Sequence, residues 1–204
     1  MPGGPDEGAG LLSGALLCAV CLGSAVRTVQ INRGAAAGFL LQALVPLIEA
    51  AVLLPAPLGL IWGARSPEDS WTSTVVGLSL LAFGFHWLNG DCSTANVLLG
   101  GALLLAAGSG YFSEEGKALV AHSVTTVASI TILIVSAFTG NMCGILGSLL
   151  VGTAGLLTGN KLQYLLTLRK RDLLHYLMAA ANLTLQWALR TQHQELDQAC
   201  WAAG

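Results

Sequence analysis

From residue 11 to residue 159 the chain is a succession of long apolar stretches separated by short polar links. Few folds can bury so much apolar sequence in water. Of 204 residues, 54% are hydrophobic and 10% charged, whereas a soluble domain carries about 25% charged residues. The charges gather between the apolar stretches, so too little polar surface is left to face solvent. A hydrocarbon layer about 30 Å thick takes roughly 20 helical residues to cross, and several stretches approach that length. The period-two alternation of a membrane β-barrel, about ten residues at a time, does not recur. The expected fold is therefore all-α, a polytopic transmembrane helical bundle of six or seven spans with short loops.

Six spans are expected near residues 11–26, 35–62, 71–88, 96–112, 118–138 and 141–158, making residues 1–160 the bundle. The second is interrupted by Pro46, Pro55 and Pro57, which membrane helices tolerate better than soluble ones. Only Thr139 and Gly140 separate the fifth from the sixth, so those two must form a tight antiparallel hairpin. Residues 161–204 supply a basic link, a last apolar helix over residues 173–189 and a polar tail. That helix carries His175, Asn182, Gln186 and His193 near one face, which suits an amphipathic helix at the interface or a seventh helix with the stripe turned inward. Residues 11–26 could also serve as a signal-peptide core, with Gly23 and Ala25 as small residues for cleavage. The preceding segment holds Asp6 and Glu7 and no basic residue, which argues against cleavage. With six spans, Arg65, Lys117, Lys161, Arg169, Lys170, Arg171 and Arg190 collect on one side against Arg27 and Arg33 on the other, and both termini are expected to be cytosolic. A seventh span moves Arg190 across.

A shift of 51 residues lays the third and fourth helices over the fifth and sixth. It pairs Thr74 with Thr125, Cys92 with Cys143, Gly101 with Gly152 and Gly108 with Gly159. This pattern fits a parallel repeat or the convergence of two Leu/Gly-rich hairpins. Small residues at four-residue spacing supply candidate helix-packing stripes: Ala15, Ala19 and Gly23; Ala102, Ala106 and Gly110; Gly144, Ser148 and Gly152. In lipid such stripes let backbones approach closely.

Few residues invite chemistry. Glu49 lies midway along the second stretch, where a carboxylate must be paired, protonated or near water, and intramembrane acids default to function. It is the candidate intramembrane functional residue, unless Pro55 and Pro57 end the helix near Leu54 and place it at the interface. His86 and His122 fall at opposite depths, so they make no shared metal or proton site. His86, beside Trp87, reads as an interfacial anchor. The polar link Asn89–Asn96 reads as a turn at Gly90 with Asp91 or Ser93 capping the next helix. Cys18 and Cys21 are spaced C-x-x-C but inside an apolar helix, away from any redox context. Cys92 and Cys143 share the exoplasmic side and form a candidate disulfide. Asn182-Leu-Thr184 matches a glycosylation pattern inside an apolar helix, so no glycan is expected. No P-loop, nucleophile elbow or zinc-protease motif occurs, and a net charge of −2 with nine scattered Lys/Arg leaves no footprint for nucleic acid. No cofactor, metal or catalytic residue is expected.

Three segments carry a family resemblance: Arg33-Gly-Ala-Ala-Ala-Gly-Phe-Leu-Leu-Gln42, the run from Leu81 through Phe85-His86-Trp87 to Asn96-Val-Leu-Leu-Gly-Gly101, and Thr131-Ile-Leu-Ile-Val135. They resemble the transmembrane protein 276 family, small vertebrate multi-pass membrane proteins without an assigned activity. The likeness covers about the first 160 residues. It implies a multi-pass membrane location and brings no site residues.

The residues thus point first to a non-enzymatic membrane scaffold, assembly or trafficking partner, meeting the lipid bilayer and other membrane proteins through helix packing and the basic run Arg169-Lys-Arg171. The alternative is a small-solute or proton-coupled transporter using Glu49.

Overall fold

The computed structural model describes residues 5–53, 67–159 and 170–203. Among them the chain forms seven α-helices: α1 Pro5–Thr28, α2 Arg33–Leu53, α3 Pro67–Leu88, α4 Cys92–Ala107, α5 Glu114–Phe138, α6 Met142–Gly159 and α7 Lys170–Ala203, with a 3-10 turn at Ser109–Tyr111 before α5. The all-α expectation holds, and the described residues contain no strand.

Short polar residues start the helices. Asn32 Oδ1 accepts from the Ala35 N–H at 2.9 Å, Asp91 Oδ1 from Thr94 at 3.1 Å, Ser113 Oγ from Gly116 at 3.2 Å and Asn141 Oδ1 from Gly144 at 3.1 Å. Each satisfies one N–H that a helix start leaves without an intrahelical partner. Gly90 (φ 77°) and Gly140 (φ 69°) reverse the chain after α3 and α5 in the left-handed region that glycine adopts freely. Because Asp91 is the cap, α4 begins at Cys92, four residues before the expected 96. The part of the second stretch beyond Leu53, with Pro55 and Pro57, and the basic link over residues 161–169 lie outside the described residues.

Six helices close a ring in which neighbours pack in the order α1, α2, α3, α5, α6, α7 and back to α1. α3 and α7 also touch across the middle, while α4 lies outside the ring against α3. All six ring helices feed one core, with Ala25, Phe39, Leu81, Ile132, Val151 and Leu185 among its buried members. The starts of α3 and α5 meet where Trp71 Nε1 donates to the Lys117 carbonyl at 2.6 Å. α7 is therefore a full partner in the bundle. Its polar stripe turns inward at Asn182 and Gln186, both buried, which selects the inward option over a helix lying at an interface.

The 51-residue shift does not describe this packing. It equates α4, outside the ring, with α6, inside it. Gly101 faces open space, whereas a Cβ on Gly152 would lie 2.8 Å from Ser129 Oγ. The Gly144, Ser148 and Gly152 stripe does face a neighbour, with Ser136 and Ser129 of α5 against its glycines. Ala15, Ala19 and Gly23 instead point outward from α1. The buried face of α1 includes Ser13, Leu17, Cys21, Ser24 and Thr28.

Among the described residues three helices are long and apolar enough to cross a membrane, over Gly10–Thr28, Trp71–Leu88 and Glu114–Phe138. Shorter apolar helices cover Arg33–Ile48, Cys92–Ala107 and Met142–Thr158.

Asn32→Ala and Asn141→Ala each remove a helix cap, and each should lower the unfolding free energy in detergent by about 0.5–2 kcal/mol. Asn141→Ala should cost more, because Asn141 Nδ2 also donates to the Ala188 carbonyl of α7 at 2.8 Å. Denaturant titration followed by circular dichroism measures both, and equal costs would mean that the bond to α7 contributes nothing.

Candidate functional site

A cavity of about 460 Å³ opens where the starts of α1, α3 and α7 meet the second half of α2. Gln42, Pro46, Ser73, Thr74, Arg171 and His175 are among its walls. Pro46 shapes the α2 wall. Having no N–H, it cannot bond the Gln42 carbonyl one turn back, which loosens the helix there. In the same turn the Ser73 hydroxyl of α3 donates to the Leu41 carbonyl.

Two buried polar clusters border the cavity. In the first, Ser13 Oγ lies 2.8 Å from Asp172 Oδ1 and 3.1 Å from His175 Nδ1. The Ser13 hydroxyl has one proton and also reaches the Gly10 carbonyl at 3.0 Å; when that proton goes to the carboxylate, the strongest of its acceptors, Oγ is left to accept from a protonated His175 Nδ1. Serine is then the bridge between acid and imidazole. A nucleophilic triad requires the imidazole in the middle, so the cluster holds charge in place rather than activating the hydroxyl. It also pins the start of α7 to the start of α1.

In the second cluster Asn182 Nδ2 donates to Gln42 Oε1 at 2.8 Å and to Cys21 Sγ at 3.2 Å. Asn182 is 0% exposed and Gln42 8%. Both amide protons of Asn182 are thereby used, while Asn182 Oδ1 and Gln42 Nε2 have no hydrogen-bond partner among the described residues. The bonded pair thus keeps one unused acceptor on Asn182 and one unused donor on Gln42, and of the two residues Gln42 lines the cavity. A site of this kind suits a small neutral solute that can both donate and accept. With Asn182 buried, its Asn-Leu-Thr pattern is closed to glycosylation.

The other sequence candidates are scattered. Glu49 stands on α2 seven residues beyond Gln42, about 10 Å further along the axis at helical rise; its side chain lies outside the described residues. His86 is buried at the end of α3, while Trp87 beside it is exposed. His86 Nδ1 lies 3.3 Å from Asp91 Oδ2, an ion-pair distance without hydrogen-bond alignment. His122 belongs to the first half of α5, at the opposite end from His86. Among the described residues no group of His, Cys, Asp or Glu is placed to hold a metal. The bridge expected between Cys92 and Cys143 is not formed: both are free thiols. Cys92 is exposed at the start of α4, Cys143 packs against the core from α6, and α4 lies outside the ring.

Sequence reasoning missed Ser13, Gln42 and Asp172. Gln42 had a signal, since it and Glu49 are the polar side chains of the stretch over residues 35–62 and their separation by seven puts them on one helical face. Ser13 and Asp172 are 159 residues apart, and only the α1–α7 seam joins them.

Outside the ring, Leu12, Val26, Val97, Leu104 and Phe138 are exposed. Apolar side chains outside with amides and a carboxylate inside describe a helical membrane protein. The chain belongs to the transmembrane protein 276 family. It is 43% identical to transmembrane protein 276 of Bos taurus over 201 residues, covering 96% of this chain and 98% of that one. It is 43% identical to that of Mus musculus, covering 92% and 94%, and 42% identical to that of Homo sapiens, covering 91% and 94%. No protein-family model and no solved structure gives a significant match.

Two outcomes test these contacts. Asn182→Ala removes the donor to a buried Gln42 and should cost about 1–3 kcal/mol, whereas Asn182→Leu combined with Gln42→Leu should be near neutral; additive losses in a double-mutant cycle would show that the pair is not coupled. Asp91 is an exposed cap whose carboxyl is held below the usual carboxylate range by its hydrogen bonds from Thr94, with His86 adding to the effect. A depressed folded pKa contributes stability above the unfolded pKa of about 4 and loses it as pH falls through the lower folded value. Melting curves from about pH 5 down to about pH 2 should show wild type losing stability relative to Asp91→Asn; parallel curves would contradict the cap's charge dependence.

Proposed function

We propose that the protein crosses the bilayer with all seven helices and carries a small neutral polar solute through the α1, α2, α3 and α7 side of the ring. The observation that carries this reading is the leftover donor and acceptor of Gln42 and Asn182 beside a cavity of about 460 Å³. Ligand pockets commonly run from about 300 to 1,000 Å³ and fix orientation with a few placed polar groups. Carrier sites fall at mid-depth in helical bundles, and beside this cavity Pro46 removes one backbone hydrogen bond from the otherwise continuous α2. Arg171, Asp172 and His175 gather at the end where α7 starts, a charged entrance to a neutral chamber. Glu49, on the Gln42 face of α2, is the acid assigned to proton coupling.

A scaffold acting through helix packing draws on a different observation, the outward Ala15, Ala19 and Gly23 stripe, which would let a partner helix approach α1 closely.

Stopped-flow light scattering on proteoliposomes under gradients of urea, glycerol, erythritol and glucose separates the two. The carrier reading expects faster volume recovery than protein-free liposomes for at least one solute. Gln42→Leu should reduce that rate about tenfold, the value of one hydrogen bond of about 1.4 kcal/mol, and Glu49→Gln should abolish it with expression intact. Recovery equal to protein-free liposomes for every solute would discard the carrier.

A further inference from the structure

The ring maps onto itself when α1, α2 and α3 are exchanged with α5, α6 and α7. The neighbours α1–α2 and α5–α6 correspond, as do α2–α3 and α6–α7, and the seam α3–α5 corresponds to α7–α1. α4, outside the ring, is the helix left over, joining two units of three. One connecting helix restores the direction of the chain, so the units run parallel and the axis relating them lies along the helices.

The correspondence reaches individual residues. Asn32 N–H bonds the Thr28 carbonyl at 2.8 Å, and Asn141 N–H bonds the Ser136 carbonyl at 2.8 Å. Both asparagines are buried and cap the next helix three residues on. From there α2 and α6 keep one register of inside and outside at a shift of 109. Arg33, Leu40, Leu44 and Leu47 face out, as do Met142, Leu149, Thr153 and Leu156. Gly38 approaches Leu81 on α3 and Gly147 approaches Leu185 on α7, where an added Cβ would stand 3.2 Å and 2.8 Å from the leucine Cγ. At a shift of 104, α3 and α7 match buried Leu81 with Leu185, Phe85 with Leu189, Leu78 with Asn182 and Ala82 with Gln186. At a shift of 108, α1 and α5 match buried Cys21 with Ser129, Ser24 with Ile132 and Thr28 with Ser136.

The two seams differ in one respect. On α3–α5 the central positions are apolar: Leu78, Ala82 and Ile132. On α7–α1 the same positions hold Asn182, Gln186 and Ser24. About two to four turns beyond the cavity, Ser24, Thr28, Gln186 and Gln192 are 2%, 0%, 2% and 3% exposed, and each has a side-chain polar atom with no partner among the described residues. The α3–α5 side has fewer such groups: Ser136 Oγ and the His86 ring nitrogens also lack a hydrogen-bond partner among the described residues, but Leu78, Ala82 and Ile132 are apolar, and a polar group left alone in hydrocarbon costs several kcal/mol.

We infer that the ring is a duplicated three-helix unit, and that Ser24, Thr28, Gln186 and Gln192 line the narrow half of a hydrogen-bonding path. The path continues the cavity past Gln42 and Asn182 along the α1–α7 seam toward the opposite end of the bundle. It deepens the carrier reading, on which the identity of its occupant rests. The seam, not the single cavity, sets the substrate class: water and neutral hydroxyl or amide solutes, which donate and accept along the row without requiring a countercharge.

Thiol accessibility in membranes tests the path without a known solute. Ser24→Cys and Gln186→Cys are compared with their counterparts Ile132→Cys and Ala82→Cys on the other seam, using a membrane-impermeant ammonium-bearing thiosulfonate, with labelling of the native cysteines subtracted. The expected result is labelling of Ser24→Cys and Gln186→Cys at least tenfold faster than of Ile132→Cys and Ala82→Cys. Equal rates on the two seams overturn the path. A variant that does not run as one species in detergent is replaced by Thr28→Cys or Ala128→Cys, read in the same way. Fast labelling with no solute flux would leave the path standing and remove the carrier reading alone.

Discussion

The bundle depends on how closely α2 can approach α3, and α6 its neighbours. A Cβ on Gly38 would stand 2.7 Å from the Gly77 carbonyl oxygen, and one on Gly84 would stand 2.6 Å from Ala35 Cβ. One on Gly144 would strike Ser136 of α5, and one on Gly147 would strike Leu185 of α7. Real side chains do not tolerate such distances, so these crossings exist only because glycine occupies them. Lipid tails are as apolar as leucine, so helices in a membrane gain little from hiding leucine against leucine. Contact between backbones, with its dense dispersion and short hydrogen bonds, has to supply the attraction.

That mode of packing leaves the polar groups with a defined place. Gln42 packs against Gly77 at the α2–α3 crossing, and from there it meets Asn182 of α7, beside the cluster of Leu17, Cys18 and Cys21. Asn182 links α7 to α1 through Cys21 and to α2 through Gln42, and Ser13 links α1 to Asp172 at the start of α7. The α1–α7 seam is thus closed largely by side-chain polar bonds, and the α3–α5 seam by apolar packing with the Trp71–Lys117 bond at its start. A buried polar group is expensive unless bonded, so the polar seam has the smaller margin against opening. A seam that opens more readily than its counterpart is a physical requirement for anything that must pass between two rigid halves.

The sequence carried the helices well and the sites poorly. All seven helices were legible from apolar runs, capping residues and the two turn glycines. Their starts moved by four residues where Asp91 or Ser113 is the cap, and the last helix, expected over residues 173–189 with a polar tail beyond it, runs on to Ala203. The outward placement of Ala15, Ala19 and Gly23 was not legible, because four-residue spacing marks a stripe without saying which way it faces. Glu49 drew attention for its charge, whereas the groups that bond α7 to α1 and α2, Gln42, Asn182, Ser13 and Asp172, are mostly neutral. Nothing local marks a glutamine as the partner of an asparagine 140 residues away.

Composition alone determined that this chain would be helical and lipid-facing, because 10% charged residues cannot cover a surface in water and a backbone in hydrocarbon must bond within its own helix. Capping residues and glycines determined where most helices begin and turn, since those are local hydrogen-bond and φ constraints. Tertiary structure decided which helices share the ring, that α4 is left outside it, and that two three-helix units correspond at shifts of 104 to 109 rather than 51. The reason is that equivalence between the units is carried by inside-outside register and close approach. Those are properties of neighbours in space, which diverging side chains preserve long after they cease to look alike.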